Sequence, residues 1–307
     1  MGTSTSVTTV AVVAHRKKSF GGGLDELRRH ITGQQDVSKL LWYEVSKSRK
    51  AGKKARRALK DGAELVFVWG GDGMVQRCVD ALAGAKVDIA VVPAGTANLL
   101  AANLGIPRDI AESVRIGFHG RRRRLDLGKL NGEHFAVMAG AGFDGAMIGD
   151  ANRSLKKRMG KLAYVGTALR HVGDRPSRVR IAVDGADWFD GSASCVLLGN
   201  VGTITGGIPA FDDAKPDDGW LEVGVSTAQG ALQWARTLGR MVAGRSDESP
   251  FVRTTRAKTV DVRLGSPMPY ELDGGARDTA KRLKASVVPS AITIRVPITL
   301  PLSGRRA

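Results

Sequence analysis

The sequence predicts an α/β protein: an N-terminal parallel-sheet domain followed by a C-terminal β-rich sandwich domain. Three features carry that reading. Nearly all-apolar runs alternate with helical patterns over the first 125 residues, and two of those runs end in Gly-rich loops that lead straight into helices. Beyond residue 125 the rhythm changes to short strands separated by turn signals. Strands that are apolar on both faces belong in a parallel sheet covered by helices, whereas short alternating strands suit a sandwich. The expected domains are 1–125, which 297–307 would return to complete, and 126–296.

"TTVAVVAH" reads as the first strand and "GLDELRRHI" as a helix after a Gly-rich turn. "ARRALKDGA" forms a basic helix, followed by the strand "ELVFVW", a Gly-Gly-Asp-Gly loop and the helix "MVQRCVDALAG". The strand "DIAVVPA", the loop "GTAN" and the helix "LLAANLGI" come next, with Gly105 and Pro107 as the stop. In the second half, "HFAVMAGAGFDGAMI" starts as a strand and 152–172 reads as one basic helix. The strands "SRVRIAVDG", "SASCVLLGNV", "WLEVGVST", "TVDVRLG", "PMPYELDGG", "LKASVVPS" and "AITIRVP" follow.

The chain of 307 residues carries a net charge of +17 with only 5% aromatic residues. Such a charge suits an anionic partner such as a membrane surface or phosphorylated substrates, or simply a solvated basic face. It is concentrated in Arg121–Arg124 and in "RSLKKRMGK" at 153–161. Aromatics are not interleaved with the basic runs, which argues against stacking platforms for nucleic acid. No apolar run approaches the ~18 residues of a membrane span, and no secretion signal is read, so a cytoplasmic protein is expected. Cys78 and Cys195 lie in apolar runs and read as buried thiols. The opening MGTSTS formally matches an N-myristoylation signal, but short runs of small residues match it by chance and a disordered start is the preferred reading.

Two loops carry the chemistry. In Gly70-Gly71-Asp72-Gly73 the glycines let backbone N–H groups approach a ligand, and the following helix points its positive end at the same place. Asp72 would repel bare phosphate. It makes sense if Mg²⁺ bridges acid and phosphate, if it accepts a proton from an attacking hydroxyl, or if it merely caps the helix. "PAGTANLLAANLGIP" at 93–107 repeats the arrangement one βα unit later, with Thr96 and Asn98 at the helix start. Successive loops of this kind lie side by side at the C-terminal edge of a parallel sheet, where ligands bind.

With these motifs the sequence resembles the diacylglycerol kinase catalytic-domain family, shared by bacterial lipid kinases and sphingosine kinases. The family's Gly-Gly-Asp-Gly-Thr appears as Gly70–Met74 and its Pro-x-Gly-Thr-x-Asn as Pro93, Gly95, Thr96 and Asn98. "AGFDG" at 141–145, "GG" at 206–207, "DDGWLEV" at 217–223 and "ELDGG" at 271–275 follow in order. The resemblance implies a nucleotide-binding first domain and a lipid-substrate second domain, with transfer of the ATP γ-phosphate to a lipid hydroxyl. It implies ATP contacts at Gly70, Gly71, Asp72, Gly73, Met74, Val75, Gln76, Gly95, Thr96 and Asn98, with Ser48 nearby. It also implies a structural Mg²⁺ held by Lys215 and Trp220 carbonyls and the Asp218 carboxylate, where a plain Asp-Asp-Gly turn is the simpler alternative. Peripheral attachment to an anionic membrane follows, and a homodimer is compatible with it.

Several positions depart from the family. "HRKKSFGGG" replaces its first Gly loop, so that Lys17 and Lys18 either hold phosphate or sit in an exposed turn. Met74 replaces Thr, and Leu99 and Ala102 replace Asp and Arg. The late Asp-Gly-Glu reads Asp273-Gly274-Gly275, so its glutamate is missing. That leaves Asp273, with Asp72 or Glu271, to accept the acceptor's proton, since Glu271 and Asp273 would share a face of one strand. A nucleotide-binding relative without transfer activity, an NAD kinase-like enzyme and a non-specific nucleic-acid binder are the competing readings.

Overall fold

The structure is a computed structural model that describes residues 9–142, 176–204, 208–243 and 249–298. MGTSTS, the basic helix expected over 152–172, most of "AGFDG" and the pair at 206–207 lie outside those residues. The chain divides into two compact units, one formed by residues up to Leu125 together with Ser290 onward, the other by Asp126–Pro289. Residues 290–296, assigned to the second domain from sequence, therefore belong to the first.

The first unit runs β1 (Thr9–His15), α1 (Gly23–Thr32), β2 (Lys39–Val45), a 3₁₀ turn at Ser48–Lys50, α2 (Ala51–Lys60) and β3 (Leu65–Gly70). It continues through α3 (Asp72–Leu82), β4 (Asp88–Pro93), α4 (Leu99–Asn103) and α5 (Ile110–His119), and β5 (Arg121–Leu130) carries the chain out of it. β1, β2, β3 and β4 pair in parallel in the order β2-β1-β3-β4. Every residue of β3 and β4 is buried, as strands covered on both faces must be. Val10, Val12, Phe67, Trp69, Val92, Leu27 and Phe118 share one core with α1 and α5. Thr293 and Ile294 extend the sheet in parallel beside Asp88 and Ile89. Arg295 then grips Asp88 from the sheet's new edge at 2.8 Å, so these late residues are part of the first unit's architecture.

The second unit contains β6 (Glu133–Phe135), β7 (Met138–Ala141), β8 (Ser177–Val183), β9 (Ala186–Ala193), β10 (Cys195–Gly199), β11 (Thr203–Ile204), β12 (Ile208–Pro209) and β13 (Leu221–Ser226). After α6 (Gly230–Val242) come β14 (Val252–Ala257), β15 (Thr259–Leu272) and β16 (Gly275–Val296), whose last residues lie in the first unit. Apart from the short β11–β12 pair, the strands form an antiparallel ladder, β14-β13-β10-β7-β15-β16, with β8 and then β9 added on β15. The start of β15 pairs with β8 and its end with β7; the register breaks between Arg263 and Met268. This bulge lets one long strand serve two sets of neighbours, which is how sandwich corners are made. Sequence pattern splits that strand in two, and it misses β2, α5 and α6 altogether.

Candidate functional site

The first loop begins where β3 ends. Gly71 caps α3 in an extended conformation, and its carbonyl accepts from the Met74 and Val75 N–H groups at 2.8 and 3.2 Å. A Cβ on Gly70 would lie 2.5 Å from the Met74 side chain, so glycine there lets Met74 fold underneath. Met74, Val75 and Gln76, expected to contact nucleotide, are each 5% exposed or less. Their side chains belong to the core, and the Met74 and Val75 amides are already satisfied. The partly exposed rim of this loop is Gly71–Gly73. Ser48 is brought to it as expected: a Cβ on Gly73 would sit 3.8 Å from its hydroxyl.

The second loop leaves β4 and touches the first through bare backbone. A Cβ on Gly95 would fall 2.4 Å from the Gly71 Cα, so a side chain at Gly95 would push the loops apart. Asn98 holds this loop's shape. Its backbone is left-handed at φ 52°, its Oδ1 accepts from the Gly95 N–H at 2.8 Å, and its amide donates to the Gly95 carbonyl at 3.0 Å. Asn98 is thus a latch within the loop, while Thr96 at the tip is exposed.

Asp72 joins the two loops. Its Oδ2 accepts from the Asn98 N–H at 2.9 Å and its Oδ1 from the Leu99 N–H at 2.5 Å. It therefore caps α4, not the helix that carries it, and supplies acceptors for two of the N–H groups that a helix start leaves without partners. Burial pushes its carboxyl up from the ordinary aspartate value, and the N–H groups of Leu99, Asn98 and Asp72 itself pull in the opposite direction.

Asp273 corrects an expectation. It lies past the end of β15, at φ 47° with Gly274 at φ 74°, in the two-residue turn that links the paired Leu272 and Gly275. Positive φ at both central residues is the Asp-Gly hairpin turn. Asp273 thus does not share a strand face with Glu271. Its carboxylate accepts from the N–H groups of Ala136, Val137 and Met138, each at 2.9 Å, and the residue is 3% exposed. A carboxylate so held anchors the segment leading into β7 and is poorly placed to take a substrate proton. Gly275 opens β16 with φ outside the left-handed region.

The Asp218 set does not fit a metal. Asp218 accepts from the Trp220 N–H at 3.1 Å, in an ordinary Asp-Asp-Gly turn with Gly219 at φ 80°. Its other oxygen pairs with Arg256, which also reaches Glu222 at 3.1 Å. Arg256 and Lys258 both lie over the Trp220 ring, 5.8 and 4.9 Å from its centre. Two cationic side chains already sit at the turn, and their charge disfavours a divalent cation beside them. Among the described residues no group of three or more His, Cys, Asp or Glu could hold one. The Asp218 carboxylate is thus engaged by Arg256 and the Trp220 N–H, and Lys215 and Trp220, expected beside it as Mg²⁺ ligands, would add only main-chain carbonyls.

A narrow apolar slot of ≈ 50 Å³ lies in the second unit, lined by Met138, Leu197, Phe211, Val225, Trp234 and Met241 among others. Both cysteines are buried and free, and burial raises each thiol to about 12.

Residues 11–130 match the diacylglycerol kinase catalytic domain, and residues 137–296 match the YegS C-terminal NAD kinase beta sandwich-like domain. The chain belongs to the diacylglycerol kinase family. Among its family relatives is a Pseudomonas aeruginosa protein described as a probable lipid kinase YegS-like, 29% identical over 95% of this chain and 96% of that protein. A Mycobacterium tuberculosis diacylglycerol kinase is 29% identical over 78% of this chain and 79% of its own length. In fold, the family member is similar to a Bacillus anthracis diacylglycerol kinase crystal structure, with TM-score 0.73, 20% identity and coverage of 96% and 99%. It is more distantly similar to yeast NADH kinase complexed with NADH, with TM-score 0.54, 11% identity and coverage of 97% and 85%.

Proposed function

We propose that the protein transfers the γ-phosphate of ATP to the hydroxyl of a lipid at an anionic membrane surface. The observation that carries this reading is the pair of Gly loops held together by Asp72 at the C-terminal edge of the parallel sheet. The partly exposed Gly71–Gly73 and Ser48 and the exposed Thr96 offer backbone and hydroxyl groups for the nucleotide's phosphates, with the buried Gly95 letting the two loops meet, and Mg²⁺ arrives with ATP. The lipid oxygen attacks the γ-phosphorus, its proton passes to a carboxylate, and ADP leaves. Asp72 is the group proposed for that proton, because burial makes it a stronger base than an ordinary aspartate. The slot near Trp234 has room for about four water-sized groups and suits the start of an aliphatic chain. No helix among the described residues is long and apolar enough to cross a membrane, and the +17 charge favours attachment from one side. Radiolabelled ATP incubated with a panel of lipid extracts, with NAD as control, tests the reading. Label in NAD alone would replace it with an NAD kinase.

A second reading, a relative that binds nucleotide without transferring phosphate, is favoured by the bound state of Asp273 and the absent side chain at Gly275. ATP binding without label in any lipid would decide for it.

A further inference from the structure

The Arg121–Arg124 run is not used by the loops, and half of it lines a second pocket of ≈ 620 Å³ in the first unit. We propose that this pocket binds a phosphate-bearing anion at a site separate from the Gly loops. Its walls are the α3–β4 connection Gly84–Val87, Arg122 and Arg124 of β5, and Ser290–Thr293. Alternate residues of a strand face the same side, so Arg122 and Arg124 enter the pocket together, and Lys86 joins them from another element.

The positive charge there exceeds the negative. Among the described residues no carboxylate lines the pocket itself. Asp88, 4% exposed beneath it, is shared between Arg122 and Arg295, both at 2.8 Å. Arg122 uses its Nε and one terminal nitrogen on Asp88, and its side chain is still 59% exposed. Lys86 and Arg124 have no acidic partner among the described residues. Cations gathered in one concavity repel each other, and an anion seated between them removes that cost. The volume falls in the range of small-ligand sites, so there is room for more than a phosphate group.

The position makes the site distinct. Lys86 and Asp88 mark the N-terminal end of β4, whereas the Gly loops follow the C-terminal ends of β3 and β4. The six residues of β4 separate the two ends by about 20 Å. The ligand's phosphate can come from a lipid headgroup or from a soluble phosphomonoester, and the test distinguishes them.

Wild type and Lys86→Ala/Arg124→Ala are compared with two probes. One is glycerol 3-phosphate, titrated with a nonhydrolysable ATP analogue occupying the Gly loops. The other is co-sedimentation with phosphatidylcholine vesicles with and without phosphatidic acid. Both substitutions are at exposed positions, and unchanged melting without ligand verifies folding; if the pair melts early, Arg124→Gln alone takes its place. Binding of either probe by wild type, weakened about tenfold per lost contact in the variant with affinity for the ATP analogue unchanged, supports the site. Preference for vesicles or for the soluble ester then names the source. Failure of wild type to bind either probe, or equal binding by the variant, overturns it. Neither result depends on turnover, so loss of the kinase reading would leave the outcome intact.

Discussion

Replacing Asp72 by Ala separates two roles that the same carboxylate could play. The substitution removes acceptors from the N–H groups of Asn98 and Leu99, the second belonging to a residue only 4% exposed. Hydrogen bonds to a charged group contribute about 1.5–3 kcal/mol each, and the two share one carboxylate, so their losses do not add fully. A destabilisation of about 3 kcal/mol is expected, a large part of the ~5–15 kcal/mol that holds a domain folded. α4 should fray at its start and the second loop should lose its place beside Gly71. ATP affinity should therefore fall together with turnover. Asp72→Asn keeps one acceptor oxygen but turns an N–H donor toward a backbone N–H, so it should lose an intermediate amount of stability. Urea unfolding of wild type and both variants, followed by ATP titration, measures the series. If Asp72→Ala unfolds at the wild-type midpoint and still binds ATP normally, the carboxylate does not clamp the loops, and its contribution is to proton transfer alone.

Asp273→Ala should cost at least about 3 kcal/mol, because three backbone N–H groups lose their acceptor, and denaturant melts would show it. Gly275→Glu should lose about 1–3 kcal/mol: although no left-handed φ is required, its Cβ would meet the Leu272 carbonyl at 3.2 Å and, at 3.0 Å, an Arg277 guanidinium already held by Glu133. Gly274→Ala, at φ 74° with open space around it, should lose about 1 kcal/mol, and a melt equal to that of wild type would contradict the turn assignment. Chelation with EDTA should leave the melting temperature unchanged; a drop reversed by Mg²⁺ would restore a metal at Asp218. A proton acceptor must be ionised to work, and burial raises Asp72, so kcat/KM should rise with pH along an acid limb lying above the usual aspartate value of ~3.9. A limb at or below that value would remove Asp72 as the base.

The parallel half was legible because its central strands are uniformly apolar and its glycines sit between strand and helix patterns. β2 escaped because its residues are only half-buried and its pattern is mixed. α5 escaped because it follows another helix, α4, and not a strand, while α6 follows β13 in a half of the chain whose pattern is otherwise one of strands. At the site, the glycines and Ser48 could be picked out in one dimension. The bond from Asp72 to Asn98 could not, since it joins residues 26 apart through a main-chain donor that any residue except proline would supply. Asp273 was readable and misread. Asp-Gly between two strands is a hairpin signal, and extending the strand through it put the carboxylate on the wrong element.

The late return of residue 290 onward to the first unit has a consequence for how the protein is made. The first unit is laid down as far as Leu125 before the second begins, yet Ile294 beside Ile89 and Arg295 on Asp88 follow only after the whole of Asp126–Pro289 has been made. At ~5–20 residues per second, the interval between Leu125 and Ser290 lasts on the order of ten seconds or more. Through that time β4 presents an open edge, and Asp88 has Arg122 as its only cation among the described residues. The nascent first unit is an unfinished sheet waiting for one more strand. A fragment ending near Leu125 should inherit the same exposed edge and aggregate, whereas one with 290–298 attached through a flexible linker should stay soluble.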